Sequence, residues 1–359
     1  MWVVLFVGLL HCHTSPRRAI SYGRPRSLSG KALMASSATL EPVTVVEPVG
    51  GLPAEVVRLG AAGDATYHIV YVPGNPGLPA YYTSTCTKLC RRLNATAAII
   101  GLRGHSEAPL LPPRLAFGLS TQVEHVASFM RSEIAALPPS DTPRLLVLGH
   151  SIGAYIAFKA AMRSSPRPAE HVRCAVGLMP YLDNTGIEGN KKLRSQAWRA
   201  IARVSLIRSP TAPILIWLVA CVAQLLGALL PNRVKRYLLS SATAKFEPAA
   251  KHLTESAALS FRFVNNMLQL FRSEAQNHQT PFDFSELKAT LGSDRIGLLY
   301  VDGSTDHWAA AAAAERARSS GVAVRFLDAA TPHAFSTTTA TDNYVAQSAG
   351  VWCAEMLAK

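Results

Sequence analysis

Residues 145–153 constrain what this chain can fold into more than any other stretch. Leu145-Leu146-Val147-Leu148 is an apolar run that leads into Gly149-His150-Ser151-Ile152-Gly153, and a helix-like pattern follows as far as Met162. A Gly-x-Ser-x-Gly turn between a strand and a helix holds its serine on a sharp bend, with the hydroxyl presented at the end of a sheet. The glycines are required because a Cβ at either position would stand between strand and helix. The spacing predicts a nucleophile elbow with Ser151 at its tip.

The rest of the chain alternates in a compatible way. Short β-branched runs at residues 67–72, 97–102, 145–148, 174–179, 296–301 and 323–328 are separated by helical patterns. The clearest of these patterns are at 82–93, 120–137, 152–162, 309–319 and 344–357, with several more between 193 and 271. Two earlier runs, 43–46 and 56–59, read as a hairpin at one edge. The alternation implies an α/β fold with a mostly parallel central sheet and helices on both faces. Function in such sheets gathers at the carboxyl ends of the strands, where the elbow lies.

A nucleophilic serine needs a base, and the base an orienting acid, in the chain order Ser, Asp or Glu, His. The acid is expected after the strand at 296–301, in Asp302-Gly303-Ser304-Thr305-Asp306-His307-Trp308. Asp306 is favoured because it lies beyond Gly303, where a carboxylate can turn back toward the sheet centre. Asp302 and Asp183 are the competitors. The base is expected to be His333 in Thr331-Pro332-His333-Ala334-Phe335, after the strand at 323–328. His125, His150 and His307 are secondary. The oxyanion needs two preorganised N–H groups. Ile152, next to the nucleophile, is one candidate. The other lies in Pro73-Gly74-Asn75-Pro76-Gly77, where proline has no N–H to give. Gly74 and Asn75 remain, with Asn75 preferred by its place in the turn.

Composition excludes several classes. The formal net charge is +13, but it is concentrated. Residues 1–40 hold five basic and no acidic side chains, and residues 159–240 hold thirteen basic against three acidic. The remainder is close to neutral, which argues against a nucleic-acid partner. Six cysteines are scattered, and Cys86 and Cys90 find no second pair, so neither a metal site, a cofactor nor a disulfide framework is expected. Asn94-Ala95-Thr96 is a formal glycosylation sequon between a helix and a strand.

Residues 1–33 read as a leader outside the fold: nine apolar residues, then an Arg- and Ser-rich stretch without acids. The core is expected at 34–182 and 291–359. Residues 183–290 form an insertion far longer than an ordinary connection, expected as a helical cap. Residues 189–246 carry no acid, and the segment 212–230 is uncharged between cationic flanks, with its core 214–222 apolar on every face. It suits shallow insertion into a lipid surface. A buried helix over an acyl pocket is the other reading.

The chain resembles the lipid droplet-associated hydrolases, a branch of the α/β-hydrolase superfamily. The resemblance rests on residues 72–77 with Tyr81-Tyr82, on Gly104-His105, on residues 118–125 and on residues 149–153 with Tyr155. Residues 303–306 with Trp308 and residues 332–335 complete it. These occur in family order over about residues 66–358. The resemblance implies the α/β-hydrolase fold, catalytic Ser151, Asp306 and His333, and an ester lipid substrate of the sterol ester or acylglycerol class. It also implies association with lipid droplets or the endoplasmic reticulum. His307 stands where the family has proline, and the leader departs from the family pattern, which leaves a plastid or other organelle open. Gln122 and His125 are read as structural. Two alternatives stand beside a serine esterase: a droplet surface protein with little turnover, and an acyltransferase using the same three residues.

Overall fold

The computed structural model describes residues 40–60, 65–112, 115–138, 144–183, 208–277, 280–302, 306 and 311–359. The leader and His307 lie outside them. β1 (Pro42–Val49) and β2 (Leu52–Leu59) form an antiparallel hairpin. Gly50 and Gly51 close it at φ +56° and +78°, as a two-residue hairpin turn of positive φ requires. β2 runs antiparallel to β4 (Ala95–Ile100). From there β3 (Tyr67–Val72), β4, β5 (Leu145–His150), β6 (Val172–Leu178), β7 (Ile296–Val301) and β8 (Ala323–Leu327) are parallel. The sheet order is β1-β2-β4-β3-β5-β6-β7-β8. Every residue of β5 and β7 is buried, which is why both read as unbroken apolar runs.

The helices are α1 (Thr83–Leu93), α2 (Leu119–Ala136), α3 (Ile152–Ala161), α4 (Ala212–Leu229), α5 (Asn232–Ser240), α6 (Pro248–Ala257), α7 (Phe261–Asn277), α8 (Phe284–Leu291), α9 (Ala311–Ser319) and α10 (Thr339–Leu357). Gly177 of β6 faces Phe158 of α3, whereas Gly297 of β7 faces Trp352 and Met356 of α10. Gly297 pairs with Val176, so its side and that of Gly177 are opposite, and α3 and α10 cover opposite faces. α1 joins α10 through Thr85 and Lys88, both bonded to buried Asp342. α10 starts five residues earlier than its apolar pattern suggests. Thr338 caps it by accepting from the Thr341 N–H, and its first turn is polar.

α4 to α7 lie between β6 and β7 in the chain and pack around a second apolar cluster that includes Leu78, Ala220, Leu239, Leu253 and Met267. α8 packs otherwise: Phe282, Phe284, Leu287 and Leu291 belong to the main core. α4 is long and apolar enough to cross a membrane by length and composition, with mean hydropathy 2.2. Only 22% of it is buried, by way of Ala212, Ile216, Ala220 and Ala223.

At the amino ends of the strands, opposite the elbow, Glu133 of α2 ties the edge hairpin to the sheet. It accepts from Arg58 at 2.8 Å and lies 2.8 Å from His68 Nε2, while Arg58 also binds Glu47. Burial raises the Glu133 carboxyl, but the bonds from His68 and Arg58 outweigh that and hold it at about 2. A carboxyl depressed in the folded state contributes stability that is present above the unfolded value of 4.5 and is lost as pH falls toward about 2. Chemical unfolding across this window should show a smaller acid loss for Glu133→Gln than for wild type.

Candidate active site

β5 ends at His150, and Ser151 turns the chain into α3 at φ 53°, ψ −127°. This backbone is rare for a residue with a Cβ and persists only where its surroundings fix it. Two glycines do so. A Cβ on Gly149 would sit 2.4 Å from the Gly153 carbonyl oxygen. One on Gly153 would sit 2.3 Å from the Pro73 carbonyl oxygen and 2.4 Å from that of Val72. The Ser151 N–H donates to Leu178 at 3.0 Å, which anchors the bend to β6.

Three side chains from the carboxyl ends of three strands converge here. His333, after β8, places Nε2 2.8 Å from Ser151 Oγ. Its Nδ1 lies 2.8 Å from Asp306 Oδ2, beyond β7. Asp306 is buried, so its carboxylate favours the tautomer with the proton on Nδ1 and leaves Nε2 free to accept from the serine. The competing acids lie elsewhere. Asp183 accepts from Arg316 at 2.6 Å and from the Phe282 N–H at 3.0 Å. Asp302 is exposed at the end of β7, its N–H donating to Leu327.

The loop after β3 faces the serine. The Gly77 N–H donates to Gly74 at 2.6 Å, and His105 Nδ1 donates to the Pro76 carbonyl. The Gly74 N–H is taken by the Tyr82 hydroxyl at 3.3 Å, which favours Asn75 as the free donor. Asn75 and Ile152 both line a cleft with Ser151 and His333. Ile152 is the first residue of α3, so its N–H has no carbonyl one turn back to bond. Tyr81, Phe246, Phe263 and Met267 supply apolar walls. No residue of α4 lines the cleft. Among the described residues no cluster of His, Cys, Asp or Glu is placed to hold a metal ion.

Of the secondary histidines, His125 and His150 are buried and held neutral. His150 packs 4.8 Å from the His333 ring and 2.8 Å from the Tyr82 hydroxyl. Burial first, then the nearby His333 charge, pushes it well below 6.5. His125 donates to the Gly101 carbonyl at 3.1 Å and is pushed down to about 4 by burial. Gln122 grips the Arg103 backbone at both ends, at 2.8 and 2.9 Å. Glu274 is the residue that sequence reasoning passed over. It lines the cleft, 3% exposed, with Oε1 3.4 Å from Asn75 Nδ2. It falls on the apolar stripe of α7 with Phe263, Met267 and Leu270, and a carboxyl on such a stripe is the signal.

Residues 65–336 match the family model described as lipid-droplet associated hydrolase. The chain belongs to that family. The proteins named lipid droplet-associated hydrolase in Gallus gallus and Homo sapiens are 30% identical over 106 residues and 27% identical over 143 residues. The matched stretches are 26% and 33% of this chain, and 31% and 42% of those relatives. Among solved structures, haloalkane dehalogenase DatA from Agrobacterium tumefaciens C58 aligns with TM-score 0.57 and 15% identity, over 88% of this chain and 97% of that one. A variant of the potato epoxide hydrolase StEH1 aligns with TM-score 0.56 and 16% identity, over 88% and 100%. These likenesses establish the α/β-hydrolase fold expected from the sequence.

Because Gly153 touches both Val72 and Pro73, a side chain there would push the elbow off the loop carrying Asn75. Gly153→Ala should cost about 1–3 kcal/mol or more in denaturant unfolding.

Proposed function

We propose that this protein is a serine hydrolase of ester lipids acting at a lipid droplet surface. The observation that carries the reading is the hydrogen-bond chain Asp306–His333–Ser151 opening into a largely apolar cleft. His333 Nε2 takes the Ser151 proton as Oγ attacks the ester carbonyl carbon. The N–H groups of Ile152 and Asn75 hold the oxyanion. His333 then hands the proton to the departing alcohol, leaving an acyl group on Ser151. Water, deprotonated by His333, releases that acyl group as the acid. Asp306 keeps the imidazole in register and stabilises its charged form.

The cleft suits an uncharged substrate such as a sterol ester or acylglycerol, since His150 beside the nucleophile is neutral. It holds about 80 Å³, well below the ~300–1,000 Å³ of an ordinary ligand site. A long acyl chain therefore enters only when the cap helices part. Wild type is expected to hydrolyse members of a sterol and glyceride ester panel and to label with a fluorophosphonate at Ser151. Ser151→Ala loses both, and Asp306→Asn lowers kcat by about 10⁴-fold. Folded wild type that fails to label would sink the enzyme reading and favour a surface protein with little turnover.

Droplet docking is assigned to α4 with α5. Ile214, Trp217, Leu218, Val222, Leu225 and Leu229 are about half exposed or more. A contiguous apolar face of this kind marks an interaction site. Full burial of one such side chain is worth about 1.5–3 kcal/mol, so a share of that from each gives a reversible attachment. Exposed Arg233 and Arg236 on α5 add attraction to anionic head groups. The monolayer of a droplet, or the endoplasmic reticulum membrane, is the surface so entered. Leu218→Asp with Val222→Asp should reduce flotation with phosphatidylserine-containing droplets by about 10-fold or more, while Ser151 labelling in solution is kept. Undiminished flotation would refute the assignment.

A further inference from the structure

Asn75 carries one oxyanion donor in the proposed reaction, and its side chain is tied to the cap. Asn75 Nδ2 donates to the Met267 carbonyl of α7 at 3.0 Å and to Glu274 Oε1 at 3.4 Å. Those two acceptors fix which end of the amide is nitrogen. The other end, Asn75 Oδ1, is shut away from solvent with no donor among the described residues. A buried amide oxygen without a donor is uncommon, and the group that fills the gap should be sought next to it. The carboxyl already touching this amide is that group, provided it carries a proton.

We propose that Glu274 is a positioning residue: as a neutral carboxylic acid it pairs with both ends of the Asn75 amide and holds the oxyanion loop against the cap. Its C=O accepts from Nδ2 and its O–H donates to Oδ1. A carboxylate could do only the first, and would face Oδ1 with negative charge. Burial pushes the Glu274 carboxyl up to about 8, against a small lowering by the Asn75 amide. His150, His333 and the phenols of Tyr81 and Tyr82 share its cleft. Arg272 stands on its own helix, and Arg208 is bound to the Ala275 carbonyl. Among the described residues no ion pair reaches the Glu274 carboxyl.

The inference rests on Ser151 hydrolysis with Asn75 as oxyanion donor, and it gives that reaction an alkaline limb. Below about pH 8 the acid is neutral and the loop is held. Above it the proton is lost and the loop is released. Turnover and fluorophosphonate labelling should therefore fall as pH rises through about 8. Glu274→Leu should lower kcat by about 10- to 100-fold with little change in KM, as a displaced donor does. Glu274→Gln, whose amide offers the same acceptor and donor, should rescue what the leucine variant loses and abolish the alkaline fall. A glutamine variant as impaired as leucine, or one that keeps the alkaline fall, overturns the proposal.

Infrared titration separates this failure from failure of the hydrolase reading. A protonated-carboxyl band that disappears as pH passes about 8, and is missing from Glu274→Gln, is expected whether or not Ser151 labels. Without such a band at neutral pH, Glu274 is an ordinary carboxylate and the pairing is wrong.

Discussion

The approach of α3 to the end of β3 is the constraint on which the site depends. Gly153 lets the Val72 and Pro73 carbonyl oxygens come to where a Cβ would be. One contact thus fixes two things that would otherwise be separate. It sets the bend that lifts Ser151 out of the sheet, and it sets how far the Asn75 loop stands from that serine. The strained serine backbone is held between a fully buried parallel strand and a helix packed without clearance. It costs stability locally, and the surrounding core offsets that cost.

The sheet was legible in the sequence because its inner strands are buried on both faces and appear as apolar runs. The hairpin edge was harder to delimit. β1 extends beyond the expected 43–46, because an exposed edge strand has no apolar run to mark its ends. Ser151 was readable from its Gly-x-Ser-x-Gly setting, and Asp306 and His333 from loop position with Asp302 and Asp183 left open; the structure brings both Ser151 and Asp306 within hydrogen-bond reach of His333. Place in the turn favoured Asn75 over Gly74, and the structure adds a reason that no local spacing reveals: Tyr82 occupies the Gly74 N–H. Glu274 was passed over for a related reason, although its place on an apolar stripe marks it out. Its partner is 199 residues away in the chain, and a glutamate in an amphipathic helix reads by default as solvated.

Three buried histidines around the site are kept uncharged. His105, His125 and His150 all lose their charge to burial, and each is held by a carbonyl or a hydroxyl. The first two brace the Asn75 loop and the neighbouring 101–103 segment from behind. A positive charge on His150, 4.8 Å from His333, would oppose the imidazolium of the proposed acyl transfer. Keeping it neutral leaves the field of Asp306 undivided.

The basic, apolar insertion divides into two tasks. α4 presents most of its surface outward and gives nothing to the cleft, so its sequence is free to suit a surface. α7 gives Phe263, Met267, Phe271 and Glu274 to the cleft, and the Asn75 side chain holds onto it. The two helices are in contact: Gln224 accepts from the Phe261 N–H at 3.0 Å, and Gly227 lies against the Leu259 carbonyl. A displacement of α4 by lipid would therefore act on α7, and through it on the loop that carries the proposed oxyanion donor. Opening the cap enough to admit an acyl chain, and keeping Asn75 in place, are opposing demands on one helix. A hydrogen bond from the Asn75 side chain to a mid-helix carbonyl meets both demands if the segment that moves is the one before Met267. That part carries Phe263 and adjoins α4, while Leu270, one turn further on, belongs to the main core.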